Sequence, residues 1–167
     1  MSFWEDQKTN FEAYQRGLFT QRVWKIHHNL YQSGVITSEV APLIVKVNNI
    51  KGVVDLEGTV DPHRVIKELD YYRHFPIGDG PLPWNYPEYS QEKFDKWWAL
   101  INEANEVGFS GVNVLIHCGA GRNRASLGTG CTMRLRGLKG PGIVPYIRKK
   151  RPGALSNAVF ATYLSNL

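Results

Sequence analysis

The chain has 167 residues, 43% of them hydrophobic, and a formal net charge of +5 at pH 7. This length is enough for one domain with its own hydrophobic core, and no apolar run approaches the ~20 residues of a membrane span. The first residues lack the basic-then-apolar pattern of a signal peptide. Because Cys118 and Cys131 are the only cysteines, a disulfide framework is excluded, and we expect a cytoplasmic protein.

The N-terminal half alternates predicted strands and helices. We expect residues 1–28 to form an N-terminal arm or helix and residues 29–167 to form the main domain. The pattern predicts, in order, strands at 23–26 and 30–32, a helix from Thr37 or Ser38 to Asn48, a strand at 52–56, a helix at 61–69 and a strand at 71–77. This alternation favours a single α/β domain in which helices flank a central, mostly parallel sheet.

The second half begins with an irregular segment. Residues 78–89 are rich in Pro, Gly and aromatic residues, which predicts a stiffened loop. Trp84 and Tyr86 within it either roof a pocket or fill the core, and the sequence does not separate the two. Apolar residues at helical spacing then predict a core-facing helix from Ser90 to Gly108. A strand at 112–116 follows, then helices at 127–135 and 143–150 and a terminal helix after Asn157.

The strand at 112–116 runs into a loop with two glycines and then into a helix. Such a loop is a typical anion cradle, because backbone N–H groups point inward and the helix dipole adds partial positive charge. The loop opens with Cys118 and closes with Arg124. A positive pocket favours the thiolate, the nucleophilic form of a cysteine, and a guanidinium binds two oxygens of a phosphoryl group. The arrangement therefore suits phosphoryl transfer through a cysteine.

This segment resembles the signature of the cysteine-dependent protein tyrosine and dual-specificity phosphatases, His-Cys-x2-Gly-x2-Arg, at His117, Cys118, Gly121 and Arg124. The resemblance implies a dual-specificity-phosphatase-like catalytic domain over residues 29–167. It also implies phosphomonoester hydrolysis through a phosphocysteine, with no cofactor and no metal ion. Cys118 and Arg124 would be catalytic, and His117 would orient the loop. The residues that would bind phosphate are Gly119, Ala120, Gly121, Arg122, Asn123 and Arg124.

The chain departs from the signature directly after the arginine. Members of that family usually carry a hydroxyl there, which bonds the cysteine sulfur and helps it leave in the second step. Here Ala125 takes that place and Ser126 follows it. The phosphatases of regenerating liver also carry alanine at this position. Ser126 either supplies the bond in a supporting role, through a shifted helix start, or the second step is slow.

The resemblance also implies a general acid, an aspartate on a loop that precedes the cysteine. Asp79, in Phe75-Pro-Ile-Gly-Asp-Gly-Pro-Leu-Pro83, matches that place, and the form Asp-Gly-x-x-Pro resembles the loop of the regenerating-liver phosphatases. Asp79 is therefore expected to be the third catalytic residue, the alternative being an aspartate that only forms a turn. Asn157 lies near the place where relatives have Gln or Asn to position water, and it serves equally well as a helix cap.

Charge is divided unevenly along the chain. Residues 107–167 carry nine Lys or Arg and no Asp or Glu, whereas the first 106 residues carry eleven basic and fifteen acidic residues. This segregation implies an anionic partner. Because the cations surround the loop, a phosphorylated protein or a small phosphorylated molecule explains them better than nucleic acid does. Taken alone, the run 148–151 is equally well explained as a solvated helix end.

Within phosphatases, a protein phosphotyrosine or phosphoserine/threonine is the first-choice substrate. An inositol polyphosphate or phosphoinositide is the alternative, because Arg122 adds a cation where phosphoinositide phosphatases carry lysine. A pseudophosphatase that binds phosphorylated partners is favoured by Ala125 and opposed by the retained Cys118, Arg124 and Asp79. A rhodanese-type sulfurtransferase fits the His-Cys pair and the arginine spacing less well.

Overall fold

The computed structural model describes residues 22–38, 41–42, 44–45, 48–57, 66, 68–85 and 90–167. Some of the sequence-based predictions concern residues outside these ranges. The N-terminal arm up to residue 21, residues 39–40, 43 and 46–47 of the helix expected at 37–48, residues 61–65 and 67 of the helix expected at 61–69, and Tyr86 lie outside the described residues.

A five-stranded sheet forms the centre of the domain. Its strands are β1 (Val23–His27), β2 (Leu30–Ser33), β3 (Ile50–Asp55), β4 (Tyr71–His74) and β5 (Asn113–His117). Their order across the sheet is β1-β2-β5-β3-β4. Strands β2, β5, β3 and β4 are parallel to their neighbours. At the edge of the sheet, β1 pairs with β2 in the antiparallel direction. The predicted α/β domain with a mostly parallel sheet is confirmed.

Four helices flank this sheet in the described part of the chain. They are α1 (Ser90–Phe109), α2 (Arg124–Leu135), α3 (Gly140–Lys150) and α4 (Ala158–Ser165). Both α2 and α3 begin three residues earlier than the sequence pattern indicates. In α3 the extra turn contains Pro141, which a first helical turn tolerates because its missing N–H has no partner there anyway. No described helix is long and apolar enough to cross a membrane.

The strand expected at 23–26 is present as β1, whereas one strand at the other edge of the sheet ends earlier than expected. Strand β4 ends at His74, three residues before the predicted end. Pro76 has no N–H to donate, so the chain leaves the ladder there. Phe75 and Ile77 still donate to the carbonyls of Asp55 and Leu56 at 2.8 and 3.0 Å, which keeps this segment beside the end of β3.

Apolar side chains cover both faces of the sheet, as expected for parallel strands buried between layers. Trp97 of α1 and Leu127 of α2 belong to the larger core cluster, and Leu115 of β5 belongs to a smaller one on the opposite face. Trp84 joins the larger core, with its ring centroid 5.3 Å from that of Phe94 and 5.0 Å from that of Tyr163. Of the two possibilities for Trp84, the structure therefore shows a core-filling side chain.

The topology brings three strand ends together. Because β2, β5 and β3 are parallel neighbours, Ser33, His117 and Asp55 all lie at the carboxyl edge of the sheet. Crevices at this edge are where open α/β sheets bind ligands. The loop that follows β5 therefore begins at the centre of the sheet, in the usual place for a site.

Candidate active site

Residues 118–123 connect β5 to α2 and form what we call the phosphate loop. The two neighbouring strands anchor its start. The N–H of Cys118 donates to the carbonyl of Ser33 at 3.3 Å, and the carbonyl of Gly119 accepts from Val35 at 3.0 Å. On the other side, the carbonyl of His117 accepts from the N–H of Leu56 at 3.0 Å. The loop is thus held between the ends of β2 and β3.

Gly121 makes the tight turn in the middle of the phosphate loop. Its φ of +63° lies in the left-handed region, and a Cβ there would stand 2.4 Å from the carbonyl carbon of Ser33. The carbonyl oxygen of Gly121 accepts two hydrogen bonds, from Gln32 Nε2 at 3.1 Å and from Arg151 Nε at 3.0 Å. Both the conformation and the close approach to β2 require glycine.

The sulfur of Cys118 lies at the N-terminus of α2. Cys118 is 2% exposed, and its Sγ accepts a hydrogen bond from the N–H of Ala125 at 3.4 Å. The N–H groups of Gly119, Gly121, Arg122 and Asn123 enter no hydrogen bond with any described residue. Gly121 is buried, Gly119 and Asn123 are half-buried and Arg122 is exposed, so these uncommitted donors in the loop that follows Cys118 are suited to binding an anion.

Arg124, the first residue of α2, and the carboxylate of Glu57 both approach the start of the phosphate loop. A Cβ on Gly119 would stand 2.9 Å from Arg124 Nη2 and 3.3 Å from Glu57 Oε2, so the guanidinium and the carboxylate both border Gly119. Arg124 Nη1 also donates to the carbonyl of Ile77 at 3.3 Å. The half-buried guanidinium therefore faces the loop and touches the segment that carries Asp79.

The predicted acid, Asp79, contacts two amides and no cation among the described residues. Its Oδ2 accepts from Asn123 Nδ2 at 3.0 Å, and its Oδ1 accepts from Asn157 Nδ2 at 2.9 Å. Asn157 Oδ1 accepts from Val159 and Phe160, so Asn157 also caps α4. The structure brings Asp79 and Asn157 to the phosphate loop and shows the expected cap. The positioning of water by Asn157 stays a prediction.

His117 is buried directly beneath the loop. Its Nε2 lies 3.2 Å from Oδ1 of Asp55, the oxygen that accepts a hydrogen bond from the N–H of Glu57 at 2.9 Å. Burial lowers the pKa of His117 below its ordinary value, and the nearby Asp55 carboxylate opposes this shift. A neutral imidazole at this position is suited to a structural role. Its orientation of the loop stays a prediction.

Ser126 does not reach the sulfur. Its Oγ accepts from Gln32 Nε2 at 2.9 Å, and Thr129 Oγ1 donates to Gln32 Oε1 at 2.7 Å, which forms a buried polar network below the loop. No hydrogen bond joins Ser126 and Cys118, both of which the structure describes. Among the described residues, the only donor to the sulfur is the backbone N–H of Ala125. The hydroxyl that the resemblance implies is therefore missing from the signature, and no neighbouring hydroxyl of a described residue replaces it.

Arg151 is a site residue that the sequence pattern did not single out. It is 5% exposed, it donates from Nη2 to the carbonyl of Ala120 at 3.3 Å, and its Cζ lies 5.0 Å from the ring centroid of Trp24. Burial, followed by the charge of Arg122, lowers the pKa of Arg151 to about 10, so it remains a cation at neutral pH. The one available signal was its place before Pro152, at the end of a basic run.

The fold is the one shared by dual-specificity and tyrosine phosphatases, as the resemblance implied. The Tk-PTP structure described as the active form has a TM-score of 0.66 at 21% identity, covering 86% of this chain and 95% of that one. PTP-2 phosphatase of Cydia pomonella has a TM-score of 0.65 at 20% identity, covering 87% and 89%. Human DUSP28 has a TM-score of 0.61 at 18% identity, covering 85% and 89%. No protein-family model and no curated protein sequence matches the chain.

The geometry of the phosphate loop predicts that Gly121→Ala is strongly destabilising. The new Cβ would combine a left-handed φ with a backbone overlap, and we expect the free energy of unfolding to fall by more than about 2 kcal/mol. Gly78→Ala is the matched control, because nothing lies within 4 Å of its Cβ position. It should change stability by less than about 1 kcal/mol. Urea denaturation followed by tryptophan fluorescence measures both, and equal stabilities would contradict this account of the loop.

Proposed function

We propose that this protein hydrolyses phosphomonoesters through a phosphocysteine formed at Cys118. The observation that carries the proposal is the position of the Cys118 sulfur. It lies at the N-terminus of α2, beside four backbone N–H groups that make no hydrogen bond with the described residues, and with Arg124 at the end of the same loop. A phosphoryl group above the sulfur would have donors for its oxygens without any rearrangement of the loop, which is the preorganisation that catalysis requires.

In the first step, the Cys118 thiolate attacks phosphorus in line with the leaving oxygen and forms the sulfur–phosphorus bond as the ester oxygen–phosphorus bond breaks. The loop N–H groups and Arg124 stabilise the equatorial oxygens. Asp79 donates a proton to the leaving oxygen, a contribution of roughly 10²–10⁴-fold. In the second step, water attacks the phosphocysteine, Asp79 takes a proton from it, and the thiolate and inorganic phosphate are released.

The other cysteine is unsuited to this role. Cys131 is fully buried in α2, and burial raises the pKa of its thiol to about 12, so the thiolate is scarce at neutral pH. Both cysteines are free thiols, which fits a reducing compartment, and we extend the proposal to a cytoplasmic location. Retention of Cys118, Arg124 and Asp79 in one site supports an enzyme over a pseudophosphatase that only binds phosphorylated partners.

A phosphorylated protein is the first-choice substrate within this proposal. Its support is the fold, which this chain shares with structures named as tyrosine and dual-specificity phosphatases. An inositol polyphosphate or phosphoinositide is the second candidate, and a specific observation favours it. Arg122 is an exposed residue of the phosphate loop, and both Arg122 and Arg22 lie close enough to Arg151 for their charges to lower its pKa. This group of guanidiniums could bind phosphates other than the one that reacts.

The proposed function predicts hydrolysis of an aryl phosphate without added metal. Cys118→Ser should abolish the reaction, because a serine hydroxyl stays protonated at neutral pH, whereas Cys131→Ser should retain activity per folded molecule. Vanadate should inhibit, and a chelator should have no effect. Release of inorganic phosphate measures all four. Activity that survives Cys118→Ser, or that a chelator removes, would contradict the mechanism.

A substrate panel separates the two candidate substrates. Phosphotyrosine, phosphoserine and phosphothreonine peptides are compared with inositol hexakisphosphate by kcat/KM, for the wild type and for Arg122→Ala. If the protein acts on phosphopeptides, kcat/KM is highest for one of the peptides, and Arg122→Ala lowers it little. A higher kcat/KM for the inositol phosphate, with a larger loss in Arg122→Ala, would favour the second candidate.

Ala125→Ser is predicted to accelerate the second step. A hydroxyl beside the sulfur would stabilise the departing thiolate, and a hydrogen bond to a charged partner contributes roughly 1.5–3 kcal/mol. Because ~1.4 kcal/mol corresponds to tenfold in rate, the steady-state rate should rise by about tenfold or more. The wild type should show a burst of leaving group before the slow phase, and the burst should shrink in the variant.

The control for that comparison is Ala99→Ser, the same substitution at an exposed position on α1, which should leave both phases unchanged. Stopped-flow measurement of the released phenolate reads the burst directly. A wild type without a burst, together with an Ala125→Ser variant that is no faster, would show that the missing hydroxyl does not limit turnover.

A further inference from the structure

The carboxylate of Asp79 is held from two directions by amide groups. Asn123 belongs to the phosphate loop and donates to Oδ2 at 3.0 Å, and Asn157 precedes α4 and donates to Oδ1 at 2.9 Å. The same Nδ2 of Asn157 also donates to the carbonyl of Gly80 at 3.0 Å. These bonds join three segments that are 34 to 78 residues apart in sequence.

The orientation of each amide is fixed by what its oxygen accepts. Asn157 Oδ1 accepts from the N–H groups of Val159 at 3.0 Å and Phe160 at 3.3 Å. Asn123 Oδ1 accepts from the N–H of Asn157 at 3.0 Å. Since a backbone N–H only donates, each oxygen must face it, and each Nδ2 must then face Asp79. The two amides therefore present donors, and not acceptors, to the carboxylate.

The segment before Asp79 is tied to the same loop. Arg124 Nη1 donates to the carbonyl of Ile77 at 3.3 Å, and the N–H of Ile77 donates to the carbonyl of Leu56 at 3.0 Å. Asp79 itself is exposed, and no described cation pairs with it. Its position above the phosphate loop thus depends on these amide contacts and on the anchored stem at Ile77.

We propose that Asn123 and Asn157 are positioning residues that hold Asp79 over the phosphate loop; Asp79, Asn123 and Asn157 together form what we call the acid latch. The proposal rests on the proposed function, because it assigns to the amides the task of placing the acid of that reaction. The backbone N–H of Asn123 belongs to the phosphate loop, and its side chain donates to Asp79. One residue therefore takes part both in phosphate binding and in the placement of the acid. Asn157 acts through Asp79 while its oxygen caps α4.

Asn157→Asp tests the latch without removing the cap. The aspartate keeps an acceptor for Val159 and Phe160, and Asp is as good a cap as Asn. It replaces the donor that faces Asp79 by a carboxylate oxygen, so attraction becomes repulsion. Asn102→Asp, the same exchange on the exposed face of α1, is the matched control and should leave every measurement unchanged.

The readout is the dependence of kcat/KM on the leaving group. For phenyl phosphate, whose leaving group needs protonation, Asn157→Asp should lower kcat/KM by about tenfold or more. For 2,4-dinitrophenyl phosphate, whose leaving group departs with little proton transfer, the loss should be much smaller. Asn123→Ala should show the same signature. Equal losses on the two substrates would mean that Asn157 only supports the fold, and would overturn the proposal.

The Asp79→Ala background provides a second check. If Asn157 acts through Asp79, then adding Asn157→Asp to Asp79→Ala should lower kcat/KM no further, because interacting residues are not additive. A full additional loss in the double variant would overturn the latch.

Hydrogen exchange separates failure of the latch from failure of the proposed function. The amides of Ile77 and Asn85, which flank Asp79 and donate to the carbonyls of Leu56 and Leu82, should exchange faster in Asn157→Asp than in the wild type or in Asn102→Asp, whether or not the protein is active. Faster exchange in a protein that hydrolyses no phosphate ester would support the latch and overturn the proposed function. Unchanged exchange would overturn the latch itself.

Discussion

The site depends on hydrogen bonds to the carbonyl oxygens of the phosphate loop. The donors of these bonds lie outside the reacting centre. Every carbonyl from residue 119 to residue 123 accepts a hydrogen bond, in chain order from Val35, Arg151, Gln32 with Arg151, Leu155 and Leu127. A peptide unit points its N–H opposite to its carbonyl. Fixing the oxygens outward therefore leaves the N–H groups to face Cys118, which is how a neutral backbone becomes a cradle for an anion.

This requirement explains polar groups that would otherwise be costly to bury. Gln32 lies in β2 and is fully buried, yet its amide is satisfied by Gly121, Ser126 and Thr129. Arg151 is buried as a cation, and it contributes three donors, to Gly121, Ala120 and Pro152. A buried polar network is stabilising only when its members are paired, and here the pairing also sets the shape of the loop. Loss of either side chain would remove one of the two donors to the carbonyl of Gly121, and loss of Arg151 would also remove a donor to the carbonyl of Ala120.

Local patterns in the sequence were sufficient for the parts of the site that are contiguous in the chain. The strand at 112–116, the glycines, Cys118 and Arg124 fall within 13 residues, so their spacing defines the loop. Contacts between distant segments were not readable. Nothing in the run 148–151 distinguishes buried Arg151 from exposed Lys149, because that difference arises only when α3 packs beside β1 and the loop. The pairing of Asp79 with Asn123 and Asn157 likewise depends on three segments that meet only in the folded domain.

The most direct test of the proposed chemistry is detection of the covalent intermediate. The protein is mixed with an aryl phosphate, quenched during turnover, digested and analysed by mass spectrometry for phosphate on cysteine. The account predicts phosphate on the peptide that contains Cys118 and none on the peptide that contains Cys131. Because no hydroxyl assists departure of the Cys118 sulfur, the intermediate should accumulate to a detectable level. Turnover with phosphate on another residue, or with none on Cys118 at any time point, would contradict the account.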